Sequence, residues 1–238
     1  MALVAFWSPK GGSGTSVVAA ATAVVLGARG GARVVDLVGD QPAVLGLGHD
    51  PDPGLADWIA LGADAPPGGP DALTVEVTDG VALLPTGGAR AARRLGERVT
   101  ATAGAALAAA LRGAPVVQVV DAGDAAEGAR RAVAEVADAT VAVIRPCYLA
   151  LRRAIGSPLL SRSAGVVLVD EPGRSLGVRE VGDVLGRPVL ATVPVRPAIA
   201  RAVDAGVLPR RLPAELGRAA GTVLAAVGVR RGSRGQAA

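Results

Sequence analysis

The sequence predicts an α/β protein, a single-domain, doubly wound and mostly parallel sheet with helices on both faces. Three observations predict it. Continuous apolar runs of strand length alternate with helix-length segments along the chain, the first run feeds a glycine-rich turn that opens a helix, and later runs end on a carboxylate. Parallel neighbours need crossover connections, and helical crossovers cover both faces of the sheet. Residues 1–228 are read as this one domain, and 229–238 as a short, basic, Gly-containing tail.

The first strand is the apolar run Ala2 to Trp7. It lacks a basic segment before it, so it reads as a strand and not as a signal peptide. The turn Ser8-Pro9-Lys10-Gly11-Gly12-Ser13-Gly14-Thr15-Ser16 follows, and Val17 to Leu26 is the helix. In a strand, glycine turn and helix, successive backbone N–H groups converge on phosphate oxygens at the helix N-terminus. A standard phosphate-binding loop reads G-x-x-x-x-G-K-[ST]. Here Gly14 is followed by Thr15 and Ser16, so the magnesium-type hydroxyl is present and the lysine before it is absent. Lys10, at the mouth of the loop, is the only Lys in the chain. Arg fills every other basic position, which sets this compact ammonium apart.

Gly30-Gly31 stops the first helix, and Ala32 to Leu37 reads as a buried strand ending in Asp36-Leu37-Val38-Gly39-Asp40. A carboxylate at such an end faces the crevice where α/β sheets bind ligands. Pro53-Gly54-Leu55-Ala56-Asp57-Trp58-Ile59 is a short helix with Trp58 as packing, and Gly62 to Asp71 is a Pro/Gly-rich surface loop. Leu73 to Val77 and Val81 to Leu84 are strands, and Arg90, Arg93, Arg94 and Arg98 lie on an exposed basic helical run. Pro115 to Val120 is a strand delivering Asp121, with Asp124 as a helix N-cap. Ala139 to Ile144, Gly165 to Val169 and Val189 to Val193 are strands, followed by helices from about Tyr148, over Val178 to Leu185, and over Pro197 to Ala205. Leu212 to Val227 is an Ala-rich helix.

The chain has 238 residues, half of them apolar, and its core must be aliphatic because it holds two Trp, one Tyr and one Phe. A single Cys excludes an internal disulfide, the lone His49 sits in a solvated loop, and no metal cluster or catalytic triad is spelled out. No apolar stretch reaches the roughly 18 residues of a membrane span. The formal charge of +4 permits weak, non-specific attraction to DNA or anionic lipid.

Lys10-Gly11-Gly12-Ser13-Gly14-Thr15-Ser16 resembles the deviant Walker A motif, K-G-G-x-G-K-[ST], of the ParA/MinD family of P-loop ATPases. The resemblance runs in order over residues 1 to 208, through Pro53-Gly54-Leu55 and Leu84-Pro85-Thr86-Gly87 to Leu185-Gly186-Arg187-Pro188 and Thr192-Val193-Pro194. It is closest to CpaE- and TadZ-like or septum-site-determining members with a degenerate nucleotide site. It implies that Gly11, Gly12, Ser13, Gly14, Thr15 and Ser16 cradle the phosphates of ATP. Ser16, Asp36 and Asp121 would serve Mg2+, and Lys10 would reach the nucleotide of the opposite subunit in a homodimer. Asp36 matches the first carboxylate of the family's D-x-D, Val38 stands where the second would position the attacking water, and Asp40 is the candidate substitute. Arg196 replaces a usual Asp, and Asp170-Glu171 stands where an Asn usually reads the base.

The expected function is spatial positioning in cell division, chromosome partition or pilus and secretion assembly, with ATP bound weakly and hydrolysis impaired. The expected partners are proteins of that machinery, and the expected location is cytoplasmic, polar or septal through those partners. The alternative is a nucleotide-free scaffold, supported by the departures at Thr15, Val38 and Arg196 and opposed by Lys10, Ser16, Asp36 and Asp121. An active DNA-partitioning ATPase is favoured by the charge and disfavoured by Thr15 and Val38.

Overall fold

A computed structural model describes residues 2–88, 101–125 and 128–229 of the chain. The expected basic run, Arg90 to Arg98, and the tail from residue 230 lie outside the described residues.

The strands are β1 (Leu3–Trp7), β2 (Ala32–Asp36), β3 (Val75–Thr78), β4 (Val81–Leu84), β5 (Val117–Asp121), β6 (Ala139–Ile144), β7 (Ser163–Asp170) and β8 (Val189–Pro194). They form one sheet in the order β3-β4-β2-β5-β1-β6-β7-β8, parallel throughout except for the antiparallel edge pair of β3 and β4. The expected doubly wound sheet is therefore the observed one. The helices used below are α1 (Thr15–Gly27), α2 (Gln41–Val44), α3 (Leu55–Ala60), α4 (Gly69–Ala72), α5 (Ala101–Arg112), α6 (Gly128–Val136), α7 (Tyr148–Ile155), α8 (Pro158–Arg162), α9 (Val178–Leu185), α10 (Pro197–Asp204) and α11 (Ala214–Ala226).

Successive side chains of a strand point to opposite faces, and β1 shows what that does to an all-apolar run. Leu3, Ala5 and Trp7 join one core with Leu107 and Leu111 of α5, Val133 of α6 and Leu151 of α7. Val4 and Phe6 join the other, with Val18 and Ala19 of α1 and Leu216 and Val223 of α11. Helix α1 is apolar nearly all round, as suits a helix wedged between the sheet and α11. The chain leaves β1 for β2, passing over the place of β5, and later fills the other side with β6 to β8. That reversal opens a crevice beyond the carboxyl end of β1, and the glycine turn lies in it.

Two expectations need correction. Gly62 to Asp71 is not simply a surface loop, since it contains a 3-10 turn (Gly62–Asp64) and α4, with Gly69 and Pro70 buried. Arg33, buried in β2, reaches Gln118 Oε1 at 2.7 Å and Thr74 Oγ1 at 3.1 Å, and pairs with Asp71, which ties this stretch to the sheet. Gly69 lies flat on the Trp58 indole, whose N–H donates to the Pro66 carbonyl at 2.8 Å, so Trp58 is packing as expected. The second correction is Asp124, which stands four residues ahead of α6 and pairs with Arg130 at 2.9 Å instead of capping the helix. His49 is exposed, and no described helix is long and apolar enough to cross a membrane.

Candidate functional site

The turn after β1 is folded by its own hydroxyls. Ser8 donates its N–H to the Gly123 carbonyl at 2.7 Å, and the Ser8 and Ser13 hydroxyls approach the Lys10 carbonyl at 2.8 and 2.9 Å. Gly12 and Gly14 have φ of 73° and 83°, values that side chains rarely adopt, and a Cβ on Gly11 or Gly12 would meet no atom within 4 Å. The cradle is therefore open. No side chain caps α1 at Gly14, so the N–H groups of its first turn are left for a ligand at the positive end of the helix dipole.

Beneath the loop, adjacent strands β2 and β5 place Asp36 and Asp121 directly opposite each other in register. Both are fully buried. Asp36 accepts from the N–H groups of Val38 at 2.9 Å, Gly39 at 2.8 Å and Gln41 at 3.3 Å. Asp121 accepts from Gly123 N–H at 3.1 Å and from the amide of Gln41 at 2.8 Å, and the Ser16 hydroxyl also bonds to it. Burial, and then the neighbouring Asp121, raise the Asp36 pKa to about 7, and burial raises that of Asp121. In the absence of a cation the pair thus holds a proton at neutral pH.

A raised carboxyl pKa means that the folded state binds a proton the unfolded chain releases above about pH 4. Stability without nucleotide or magnesium is therefore expected to fall as pH rises from 5 toward 7.5. Asp36→Asn, which keeps the Oδ1 acceptor, should flatten that slope and raise the melting temperature at pH 7.5. Thermal melts of both proteins across this range check it, and an equal slope in the variant would refute it.

A cavity of about 430 Å³ opens between the loop and the ends of β2 and β5, lined by Gly11 to Val17, Val38, Asp40, Gly123, Asp124 and Arg130. Asp40 is exposed and lies in its wall, so the sequence-predicted substitute carboxylate does face the site. Val38 contacts Gly123, where a Cβ would lie 2.6 Å from its Cγ2. Thr15 is buried in the cavity wall. Lys10 does not line this cavity. Its Nζ lies 3.3 Å from the Gly11 carbonyl, and it lines a neighbouring space of about 410 Å³ with Pro9, Arg153 and Ser157. Arg196 and Asp170 are exposed, and Glu171 pairs with Arg174 at 2.8 Å and Arg145 at 3.7 Å.

Sequence reasoning missed Gln41, Thr86 and Arg130. Gln41 is wholly buried, joins Asp121 to the Ser16 carbonyl at 3.0 Å, and has no partner for its Oε1 among the described residues. Its signal was a polar residue at the start of a helix one step after Asp40. Thr86, inside the Leu84-Pro85-Thr86-Gly87 segment, donates to the Asp36 carbonyl at 2.7 Å.

The donor set fits a magnesium nucleotide. Magnesium keeps several waters and takes one or two protein oxygens beside the phosphates, which Ser16 and Asp121 supply. No group of three or more His, Cys, Asp or Glu among the described residues is placed to hold a metal by itself. The cavity volume lies in the range of small-ligand sites.

No protein-family model and no curated protein sequence matches the chain. Solved structures do match over nearly its whole length. A ParA family ATPase from Chlorobium tepidum is 21% identical, with 94% of this chain and 97% of that one covered at a TM-score of 0.74. The septum site-determining protein MinD from Pyrococcus horikoshii, complexed with Mg-ADP, is 19% identical, with 93% of each chain covered at 0.76. An ATP complex of a McdA variant from Cyanothece is 15% identical, with 98% and 99% covered at 0.79. At these identities the likeness establishes a shared fold, the one that the glycine loop and strand order had indicated.

Proposed function

We propose that this chain is a ParA/MinD-like P-loop protein of spatial positioning, in cell division, chromosome partition or pilus and secretion assembly, that binds ATP weakly and hydrolyses it poorly. The observation that carries the reading is the uncapped glycine loop over Ser16 and Asp121, with Asp36 beside them. MinD in complex with MinC is among the solved structures of this fold, which supports a protein partner as the output.

When bound, the nucleotide and its magnesium supply a phosphoanhydride with neutralised charge. The chain's own residues do the rest. The first-turn N–H groups of α1 and the loop backbone orient the phosphates, and the Ser16 hydroxyl and Asp121 hold the cation. Asp36 is clamped by the Val38 and Gly39 N–H groups and holds the proton. Val38 brings no carboxylate to orient water, which leaves that task to the exposed Asp40.

Losing one lysine contact to phosphate costs about 1.5–3 kcal/mol, roughly 10- to 100-fold in affinity. Mg-ATP is therefore expected to bind with a Kd of about tens of micromolar or weaker on that cost, and Lys10→Ala to weaken it further. Isothermal titration checks both. No saturation at millimolar Mg-ATP would refute the reading and favour a nucleotide-free scaffold. That second reading has its own support, because Gln41 and backbone N–H groups satisfy both carboxylates without an ion, and Tyr148 is 78% exposed beside Leu149.

A further inference from the structure

We infer that Arg130 is the in-subunit phosphate cation of this site, its guanidinium meeting the terminal phosphates that a lysine at residue 15 would otherwise meet. The inference rests on the nucleotide-binding reading above. Among the described residues lining the cavity under the glycine loop, Arg130 is the one cation, against two carboxylates, Asp40 and Asp124. A polyphosphate held beside two carboxylates needs a positive partner in the same space, since like charges at contact distance repel strongly in a partly desolvated site. Lys10 lines the neighbouring space instead, and Arg145 leans on the Gly12 carbonyl at 3.4 Å and on Glu171.

The setting of Arg130 suits the role. It comes from the first turn of α6, and its side chain is 21% exposed. One nitrogen, Nη1, donates to Asp124 Oδ1 at 2.9 Å, while Nε is buried with no partner among the described residues. A guanidinium carries five donors in a planar fork, so it can keep Asp124 and still offer a face to phosphate. A buried donor without an acceptor is costly, and an incoming phosphate oxygen removes that cost. The connection that lifts α6 toward the loop is itself strained. Ala125 has φ of 40° and is buried, a conformation that a side chain adopts only where the surroundings impose it. Thr15 in the cavity wall is too short to fill the space in front of it, which leaves that volume to the longer side chain from the opposite wall.

The test measures binding of Mg-ATP and of inorganic tripolyphosphate by titration calorimetry, together with the unliganded melting temperature of each variant. Arg130→Ala is expected to weaken both ligands about 10- to 100-fold, the worth of a charge-assisted contact, and Arg130→Lys to retain most of the affinity. Thr15→Lys placed in the Arg130→Ala protein should restore binding, because it returns a cation to the same phosphates from the other wall. If Arg130→Ala does not fold, Arg130→Gln, which keeps a donor toward Asp124, carries the same comparison. Saturable wild-type binding left unchanged by loss of Arg130, or a loss that Thr15→Lys does not repair, overturns this assignment alone. Absence of wild-type binding to both ligands overturns it together with the reading on which it rests.

Discussion

Steady-state ATP turnover is expected to run about 10²–10⁴-fold below that of a ParA/MinD protein with both D-x-D carboxylates, the usual worth of a group that positions or deprotonates the attacking water. The cause is Val38. Its N–H serves Asp36, and its side chain packs on Gly123 at a distance that a Cβ there would not allow. Aspartate is close to valine in shape, so Val38→Asp fits the same space and is expected to recover much of the missing rate. The added carboxylate would stand near Asp36 and Asp121, two acids whose pKa values are already raised, so the variant should be less stable until magnesium is present. Phosphate release is therefore to be followed at saturating magnesium. Wild-type turnover at ordinary family rates, abolished by Asp121→Ala, would show that Asp40 orients the water and would refute the role given to Val38.

Self-association is expected to depend on nucleotide and on Lys10, with the larger effect coming from symmetry. In a two-fold dimer joined across the loop face, each Lys10 meets the partner's phosphates, so Lys10→Ala removes the contact twice. Two charge-assisted contacts of about 1.5–3 kcal/mol each amount to about 3–6 kcal/mol, roughly 10²–10⁴ in the dimer dissociation constant. Lys10 lies outside the cavity of its own subunit, which is the placement such a reach needs. Mg-ATP should strengthen the dimer by mass action, as any ligand does that prefers the assembled form. Sedimentation of the wild type and Lys10→Ala with and without Mg-ATP decides it. A monomer under every condition, or a dimer indifferent to both nucleotide and the substitution, would refute the proposal.

The two kinds of information divide along a physical line. Runs whose neighbours in sequence are also their partners in structure were legible. Ala139 to Ile144 and Val178 to Leu185 have the bounds expected of them, because an unbroken apolar strand and an amphipathic helix stopped by Gly186 are local signals. The glycine loop was legible for the same reason, since strand, turn and helix follow one another directly.

Helix α5 was not read from the sequence. It carries Gly104, an unfavourable residue in a helix interior, and the reason lies across the fold, where a Cβ at Gly104 would come within 2.2 Å of the Ala132 side chain of α6. Asp71 likewise gave no local sign of order, and only the buried Arg33 of β2 fixes it. The sequence by itself determined the fold class, the phosphate-type loop and the two strand-end carboxylates, all of which are consequences of residue type in local order. Only the tertiary structure decided that those carboxylates stand side by side and share a proton, that Gln41 bridges them, that Lys10 turns away from its own cavity, and that Arg130 enters it. Each of these depends on strand register or on a helix arriving from elsewhere in the chain, and the pattern within any one segment carries no record of what the next strand or helix will place against it.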